Sequence, residues 1–477
     1  MHKLENDLEL KKNAAVPEEE LRAGREAASR LRERLCGRGL SYFIETYGCQ
    51  MNEHDSEKLA GMLQSCGLAK AETKIGADVI LFNTCCVREH AEKRLMGNVG
   101  ALKKLKDEKP GLLVCVCGCM AQQKDVADKL YRRFPFVDLI FGTHELHLFP
   151  QLLEQAMEGR RLARVRELDG EIAEGLPVSR NNGVSQFVTI MYGCDNFCSY
   201  CIVPYVRGRE RSREPERILA EIRALAKDGV KEITLLGQNV NSYQGDGGVD
   251  FPELLRRTGK IEGIARIRFM TSHPKDLSPR LIEAMASLPK VCPHIHLPVQ
   301  SGSDRVLCLM NRRYTRADYL ALAAALRAAV PGIEITTDFI VGFPGETEED
   351  FLDSLRLARE AGFSAAYTFK YSKRSGTRAA GMEEQIPEQV KKDRLKRLND
   401  AVAEGLRAGN EKYVGRTGEV LVEGCDRRNA AMAFGKLPSF KMVYFPGDES
   451  LIGRTVRVNI TKTSVNSLIG ELADQKG

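Results

Sequence analysis

From residue 41 onward, short apolar runs alternate with stretches in which apolar residues recur at helical spacing. Strand candidates fall at 41–46, 78–82, 112–116 and 137–141. Between the first two, Leu59, Met62, Leu63 and Cys66 repeat at helical intervals, and Gly67 stands where a C-cap glycine would end that helix. This alternation predicts a doubly wound parallel α/β domain over 40–158, its last unit ending near Pro150. A polar linker, 159–182, leads to a second series of strands near 187–192, 232–236, 266–270, 294–297, 333–341 and 365–371, with helical segments such as 215–227 and 346–361 between them. Six strand–helix steps within 183–410 predict a partial (β/α)6 barrel, whose chemistry would sit at the strand C-terminal ends. Over 411–474 helical periodicity is lost, and Val456, Val458 and Ile460 alternate with Arg457, Asn459 and Thr461, which predicts a small β-barrel. Residues 1–39 are rich in Glu, Lys, Arg and Ala without a strong apolar face, and read as a charged extension, either a solvated helix or a disordered arm.

Composition narrows the picture. The 477 residues have room for about three domains of ~150 residues, which excludes a single small module. Lys and Arg total 71 against 65 Asp and Glu, and the resulting +6 permits a polyanionic partner without requiring one. Apolar runs such as 112–116 are far shorter than the ~20 residues of a membrane span, and the charged start MHKLENDLELKK has no signal-peptide core. The expectation is a cytoplasmic protein. Fourteen cysteines in a reducing compartment point to metal ligands or catalytic thiols rather than disulfides. Trp is absent, so base stacking falls to Tyr, Phe or Arg.

Cys194, Cys198 and Cys201, in YGCDNFCSYC, follow the first strand of the predicted barrel at C-x-x-x-C-x-x-C spacing. A closed iron–sulfur cubane takes four cysteines, so three leave one iron open to a ligand. A zinc knot would need a fourth Cys or His nearby, and none follows. On this motif the chain resembles the radical S-adenosylmethionine superfamily. The resemblance implies that the open iron chelates S-adenosylmethionine and that Tyr200, the aromatic before the last cysteine, meets its adenine; ordinary packing is the competing role for Tyr200.

A second set of cysteines stands at or beyond strand ends in the first domain: Cys49 in ETYGCQMN, Cys85 or its neighbour Cys86 in FNTCCVRE, and Cys119 in CVCGCMAQ. Strand ends of a doubly wound sheet lie along one edge, so distant cysteines can converge there. Cys115 and Cys117 fall inside a strand and read as small hydrophobes, and Cys36, Cys66, Cys292, Cys308 and Cys425 as structural. Together with YGCDNFCSYCIVPYVRGRERSR, LLGQNVNSY, DFIVGFPGET and YSKRSGTRAA, these segments resemble the methylthiotransferase family over nearly the whole chain after residue 40. The extension and Cys86 depart from the shared pattern. The resemblance implies that Cys49, Cys85 and Cys119 hold an auxiliary cluster, giving two 4Fe-4S clusters. It implies methylthiolation of C2 of an isopentenylated (N6-dimethylallyl) adenosine beside the anticodon of tRNA, with two S-adenosylmethionine molecules per turnover. An aromatic C–H has no useful acidity, so a radical route suits that carbon. A flavodoxin or ferredoxin would supply electrons, to a monomeric enzyme. Sister activities on threonylcarbamoyladenosine in tRNA or a ribosomal protein aspartate share both motifs, and a non-catalytic iron–sulfur RNA-binding protein is the rival from another class.

Secondary candidates follow. Gln238 and Asn239, after the second barrel strand, would contact the methionine part of S-adenosylmethionine by the same resemblance, and Gly342 and Gly345, after the fifth, would let a ligand approach backbone. Arg207, Arg209, Arg211 and Arg213 recur every second residue, which in an extended segment would form one phosphate-binding row; solvated pairing with Glu210, Glu214 and Glu216 is the alternative. The terminal barrel resembles the TRAM domain, an RNA-binding module, and carries Arg427, Arg428, Lys436, Lys441, Arg454, Arg457 and Lys462. RNA binding there is implied by the resemblance, since nearby acids nearly offset these charges.

Overall fold

The computed structural model describes residues 15–86, 89–166, 171–180 and 183–473, in two compact units. The first unit comprises the residues up to 180 with the short segments 191–195 and 202–213. Its centre is a parallel sheet of β1 (Ser41–Thr46), β2 (Ala69–Lys70), β3 (Val79–Thr84), β4 (Leu113–Gly118), β5 (Leu139–Phe141) and β6 (Leu162–Arg164), in the spatial order β2-β1-β3-β4-β5-β6. Residues alternate between two cores along each strand: Val79 and Leu81 face one, Ile80 and Phe82 the other. Cys115 and Cys117 pack in the first of these cores as small apolar side chains. Helix Gln50–Ser65 ends at Gly67, whose φ of +89° lets its N–H and that of Leu68 close back onto Gln64 and Leu63.

The N-terminal segment departs from expectation. Residues 1–14 lie outside those described, but Glu18–Leu35 is a helix that buries Leu21, Ala27, Ala28, Leu31 and Leu35, the last three within the core that holds Tyr42, Leu63 and Phe149. Its apolar stripe was hidden because Gly24, Ala27 and Ala28 contribute little hydrophobic signal between charged neighbours.

The second unit holds six parallel strands in chain order, Ser185–Thr189, Glu232–Leu236, Arg266–Phe269, His294–His296, Glu334–Val341 and Ala365–Lys370. They form two three-stranded halves, with helices such as Pro215–Lys227 and Glu348–Glu360 between strands, which is the partial barrel expected. Thr417–Asp426, Asn429–Lys436, Met442–Pro446, Thr455–Thr463 and Leu468–Leu472 close into a small barrel around Val420, Val443, Phe445, Val458 and Ile460. Within this unit the small barrel is docked by two arginines of the third parallel strand. Arg266 donates to the carbonyls of Lys436 (2.6 Å) and Glu419 (3.0 Å), and Arg268 to those of Pro438 (2.8 Å) and Leu437 (2.9 Å). Arg268 also pairs with buried Glu232 at 2.8 Å, so its own charge is compensated at that junction.

Candidate functional site

In the first unit the strand order reverses between β1 and β3, the switch point beyond which ligands collect in open α/β sheets. Register makes the ends level: Thr46 pairs with Asn83, and Thr84 with Gly118. Cys49 caps helix Gln50–Ser65 just past β1, Cys85 and Cys86 follow β3, and Cys119 follows β4. Two glycines allow the approach. Gly48 has φ +126°, and a Cβ there would overlap the Cys85 Cβ and lie 3.0 Å from its sulfur; Gly118 has φ +97° and packs against Asn83 and Thr84.

Fully buried Asn52 organises this edge. Its amide donates to the Thr84 carbonyl (2.8 Å) and the Tyr47 carbonyl (3.2 Å), while its Oδ1 accepts from Cys49 Sγ (3.6 Å), Cys119 Sγ (3.8 Å) and Arg207 (3.2 Å). Arg207 Nε lies 3.1 Å from Cys119 Sγ, and its Nη1 pairs with buried Asp55 at 2.7 Å. A hydrogen bond with Cys86, and then the Arg207 guanidinium, pull the Cys119 thiol down to about 6 against the effect of burial. The edge therefore offers several thiols and a buried cation, a donor set that suits an anionic iron–sulfur group. Cys85 lies by Gly48 and Cys86 beside Cys119, so the structure brings both adjacent thiols to the edge. Among the described residues no three Cys, His or acidic side chains enclose a single metal ion; a cubane differs in that each thiolate binds a separate iron.

The arginine row does not form. Arg207 ends the short helix Val203–Arg207 and is buried on Asp55, Arg213 is buried on Glu174 (2.7 Å), and only Arg211 lies in a strand, so their side chains do not share one extended face. Burial lowers Arg211 to about 10. Arg209 is exposed and pairs with Asp195 at 3.1 Å. The sequence suggested exposed partners for these arginines; burial instead selects Asp55 and Glu174, which lie far away in the chain.

In the second unit the cluster loop continues through Cys198, which is buried, and Cys201, whose N–H donates to the Cys198 carbonyl. Tyr200 packs beside Val306, Met310, Phe343 and Ala379, and burial raises its hydroxyl well above the ordinary range. Asn239 is buried and committed to the chain itself: its amide donates to Asp276 (2.7 Å) and its Oδ1 accepts from the His273 N–H (3.2 Å). Gln238 differs, since its Oε1 is buried with no partner among the described residues, as are Asn241 Oδ1, Ser272 Oγ and His273 Nε2. These four atoms lie on the loops after the second and third barrel strands, which are tied together by Val240 N–H to Thr271 O (3.1 Å). Burial, then Arg312, push His273 down to about 2, so its ring is neutral; because Nδ1 accepts from the Lys275 N–H, the hydrogen resides on Nε2. These buried atoms include both donor and acceptor types, a set that suits a polar ligand such as a nucleoside bearing an amino acid. Sequence reasoning missed Ser272 and His273; their signal was position, just past a barrel strand.

The glycines after the fifth strand serve the chain rather than an open approach. A Cβ on Gly342 (φ +69°) would overlap Lys391, and one on Gly345 (φ +78°) would crowd Glu384 at 2.8 Å. In the terminal barrel Arg454, Arg457 and Lys462 are exposed, whereas Lys436 pairs with Glu423 (2.8 Å) and Lys441 donates to Ser364 and Asn410.

Residues 188–358 match the Radical SAM superfamily, 41–142 the Uncharacterized protein family UPF0004, and 411–473 the TRAM domain. The chain is 54% identical over 434 residues to a tRNA-2-methylthio-N(6)-dimethylallyladenosine synthase from Clostridium tetani, covering 90% of this chain and 96% of that protein. It is 54% identical over 439 residues to the protein of that name from Caldicellulosiruptor saccharolyticus, covering 91% and 93%. Among solved structures it resembles the radical S-adenosylmethionine methyltransferase TsrM from Kitasatospora setae, with a TM-score of 0.52 at 15% identity over 72% of this chain and 77% of that one, a likeness of fold.

Proposed function

This chain belongs to the family of tRNA-2-methylthio-N6-dimethylallyladenosine synthases, and from that membership we infer its reaction: radical S-adenosylmethionine-dependent methylthiolation of C2 of N6-dimethylallyladenosine in tRNA. It is a transferase. The observation that carries the reading is the cysteine edge at the β1/β3 switch point, in a chain that also carries the C-x-x-x-C-x-x-C loop. Cys194, Cys198 and Cys201 would hold one 4Fe-4S cluster and Cys49, Cys85 and Cys119 a second. When bound, the clusters and two S-adenosylmethionine molecules supply the electron, the hydrogen-abstracting radical, the methyl group and the sulfur chemistry that no side chain provides.

The protein's share is positioning. Gln238 Oε1, with Ser272 Oγ and His273 Nε2, would accept from and donate to a polar ligand at the strand ends, and Tyr200 would offer an aromatic surface beside the cluster loop. Asn239 holds the His273 loop, and Gly342 and Gly345 let Lys391 and Glu384 pack closely on the turn after the fifth strand. At the other edge Asn52 and Arg207 orient Cys49 and Cys119 and offset the charge of their thiolates. Exposed Arg209 with Arg454, Arg457 and Lys462, supported by partly buried Arg211, would meet tRNA phosphates, which position the substrate without reading its bases. Buried Arg207 and Arg213 are not assigned to RNA. No helix among the described residues is long and apolar enough to cross a membrane, and a cytoplasmic monomer reduced by a flavodoxin or ferredoxin is the setting proposed.

Anaerobic reconstitution followed by reduction with S-adenosylmethionine tests the division of labour. Replacing Cys194, Cys198 and Cys201 by Ala should abolish 5′-deoxyadenosine formation and remove about half of about eight irons. The corresponding change at Cys49, Cys85 and Cys119 should spare some cleavage and abolish methylthiolation. Undiminished deoxyadenosine from the first variant would overturn the assignment.

A further inference from the structure

Arg312 follows helix Asp304–Leu309 and is only 7% exposed. Its hydrogen bonds go to the Pro298 carbonyl (2.6 Å), to Tyr314 Oη (2.7 Å) and, through Nη1, to Cys198 Sγ (3.5 Å). Four other buried arginines have an acid: Arg207 pairs with Asp55, Arg213 with Glu174, Arg268 with Glu232 and Arg394 with Glu346. Arg266 spends its fork on two backbone carbonyls that dock the small barrel. Arg312 has no carboxylate within 4.0 Å among the described residues, yet one of its donors points at a cysteine of the cluster loop. A guanidinium buried without a counter-ion is costly, and unlike Arg266, whose donors go to carbonyls, Arg312 turns one on a sulfur that would be anionic when bound to iron.

We propose that Arg312 is the counter-ion of the three-cysteine cluster, donating to the Cys198 sulfur and favouring the reduced state by its charge. This rests on the reading that Cys194, Cys198 and Cys201 hold a cluster. Arg312 is a positioning residue: its hydrogen bonds to Pro298 and Tyr314 fix the guanidinium, and a metal-bound thiolate accepts from Nη1 more strongly than a thiol. Adding an electron raises the negative charge that faces the arginine, so the reduced form gains more than the oxidised one.

The test uses the full chain with Cys49, Cys85 and Cys119 changed to Ala, which leaves one site of about four irons. Arg312, Arg312→Gln and Arg312→Lys forms are reconstituted and titrated potentiometrically by EPR without S-adenosylmethionine, and their cluster-free melting points are recorded. The Gln variant should show about a tenfold lower ratio of reduced to oxidised cluster at fixed potential, a shift of about 59 mV to more negative values for a one-electron couple, with the Lys variant between. An unchanged potential in the Gln variant overturns the proposal. If a variant takes up no iron, an unchanged cluster-free melting point supports it, because the arginine then serves the cluster, whereas a lowered melting point overturns it by making Arg312 a folding residue. A parent chain that takes up no iron at this site would instead sink the cluster assignment itself.

Discussion

Gly48 and Asn52 carry the residue-scale logic of the auxiliary edge. Gly48 at φ +126° leaves no room for a Cβ against Cys85, and Asn52 spends every polar atom joining strand ends to thiols. Gly48→Ala should therefore cost about 1–3 kcal/mol of local stability and lower iron by about half in reconstituted protein. Normal iron content in that variant would show that the edge does not depend on this close approach. Cys85→Ala should likewise halve the iron while Cys86→Ala spares it; the reverse pattern would make Cys86, which lies beside Cys119, the ligand. The cysteines themselves were legible because their chemistry is rare in a chain of this kind. Asn52, Asp55 and Arg207 were not, because an Asn, an Asp and an Arg in a polar sequence carry no mark of burial until the fold supplies partners. Tyr200 was legible only as an aromatic in the motif, and it packs against an apolar cluster.

At the scale of elements, strands and long amphipathic helices announced themselves by period: Glu232–Leu236 and Pro215–Lys227 have the ends expected from pattern alone. The buried face of helix Glu18–Leu35 was missed because it is built of small residues and leucines flanked by charge. Leu31 is fully buried there, so Leu31→Ala should destabilise the first unit by about 2–5 kcal/mol, read by chemical denaturation. No loss would return the segment to one of the two readings first expected, the solvated helix. Helix Glu348–Glu360 begins with a capping box in which Asp350 serves Thr347. Burial raises the Asp350 carboxyl, but hydrogen bonds from Arg305, Ser303 and Thr347 outweigh it and hold it well below the usual aspartate range. Its contribution is thus complete above about pH 3.9, the unfolded value, and is lost as pH falls through the depressed folded value. Asp350→Asn should lower stability by about 2 kcal/mol at neutral pH and flatten the acid limb of the stability curve. An acid limb identical to that of the parent would refute this role.

For the molecule as a whole, doubly wound domain, partial barrel and small terminal barrel were all readable, since each follows from a change in hydrophobic period. How the terminal barrel docks was not, because Arg266 and Arg268 read as ordinary strand charges until their backbone acceptors 150 residues or more away are seen. That docking shapes the RNA test. Deleting the barrel would strand both arginines, so substituting its exposed cations is cleaner. Changing Arg454, Arg457 and Lys462 to Ala should weaken tRNA binding and reduce its salt slope by roughly one unit per lost phosphate contact, with cluster content intact. Equal affinity and slope would remove this surface from the interface.

The central claim is the reaction itself, and nucleoside mass spectrometry of cellular tRNA tests it most directly. In a strain lacking this gene, complemented by the intact chain or by one with Cys194, Cys198 and Cys201 changed to Ala, 2-methylthio-N6-dimethylallyladenosine should appear only with the intact chain, and N6-dimethylallyladenosine should accumulate otherwise. An unchanged content of the methylthio nucleoside without the gene, or loss of the methylthio group from threonylcarbamoyladenosine instead, would contradict it.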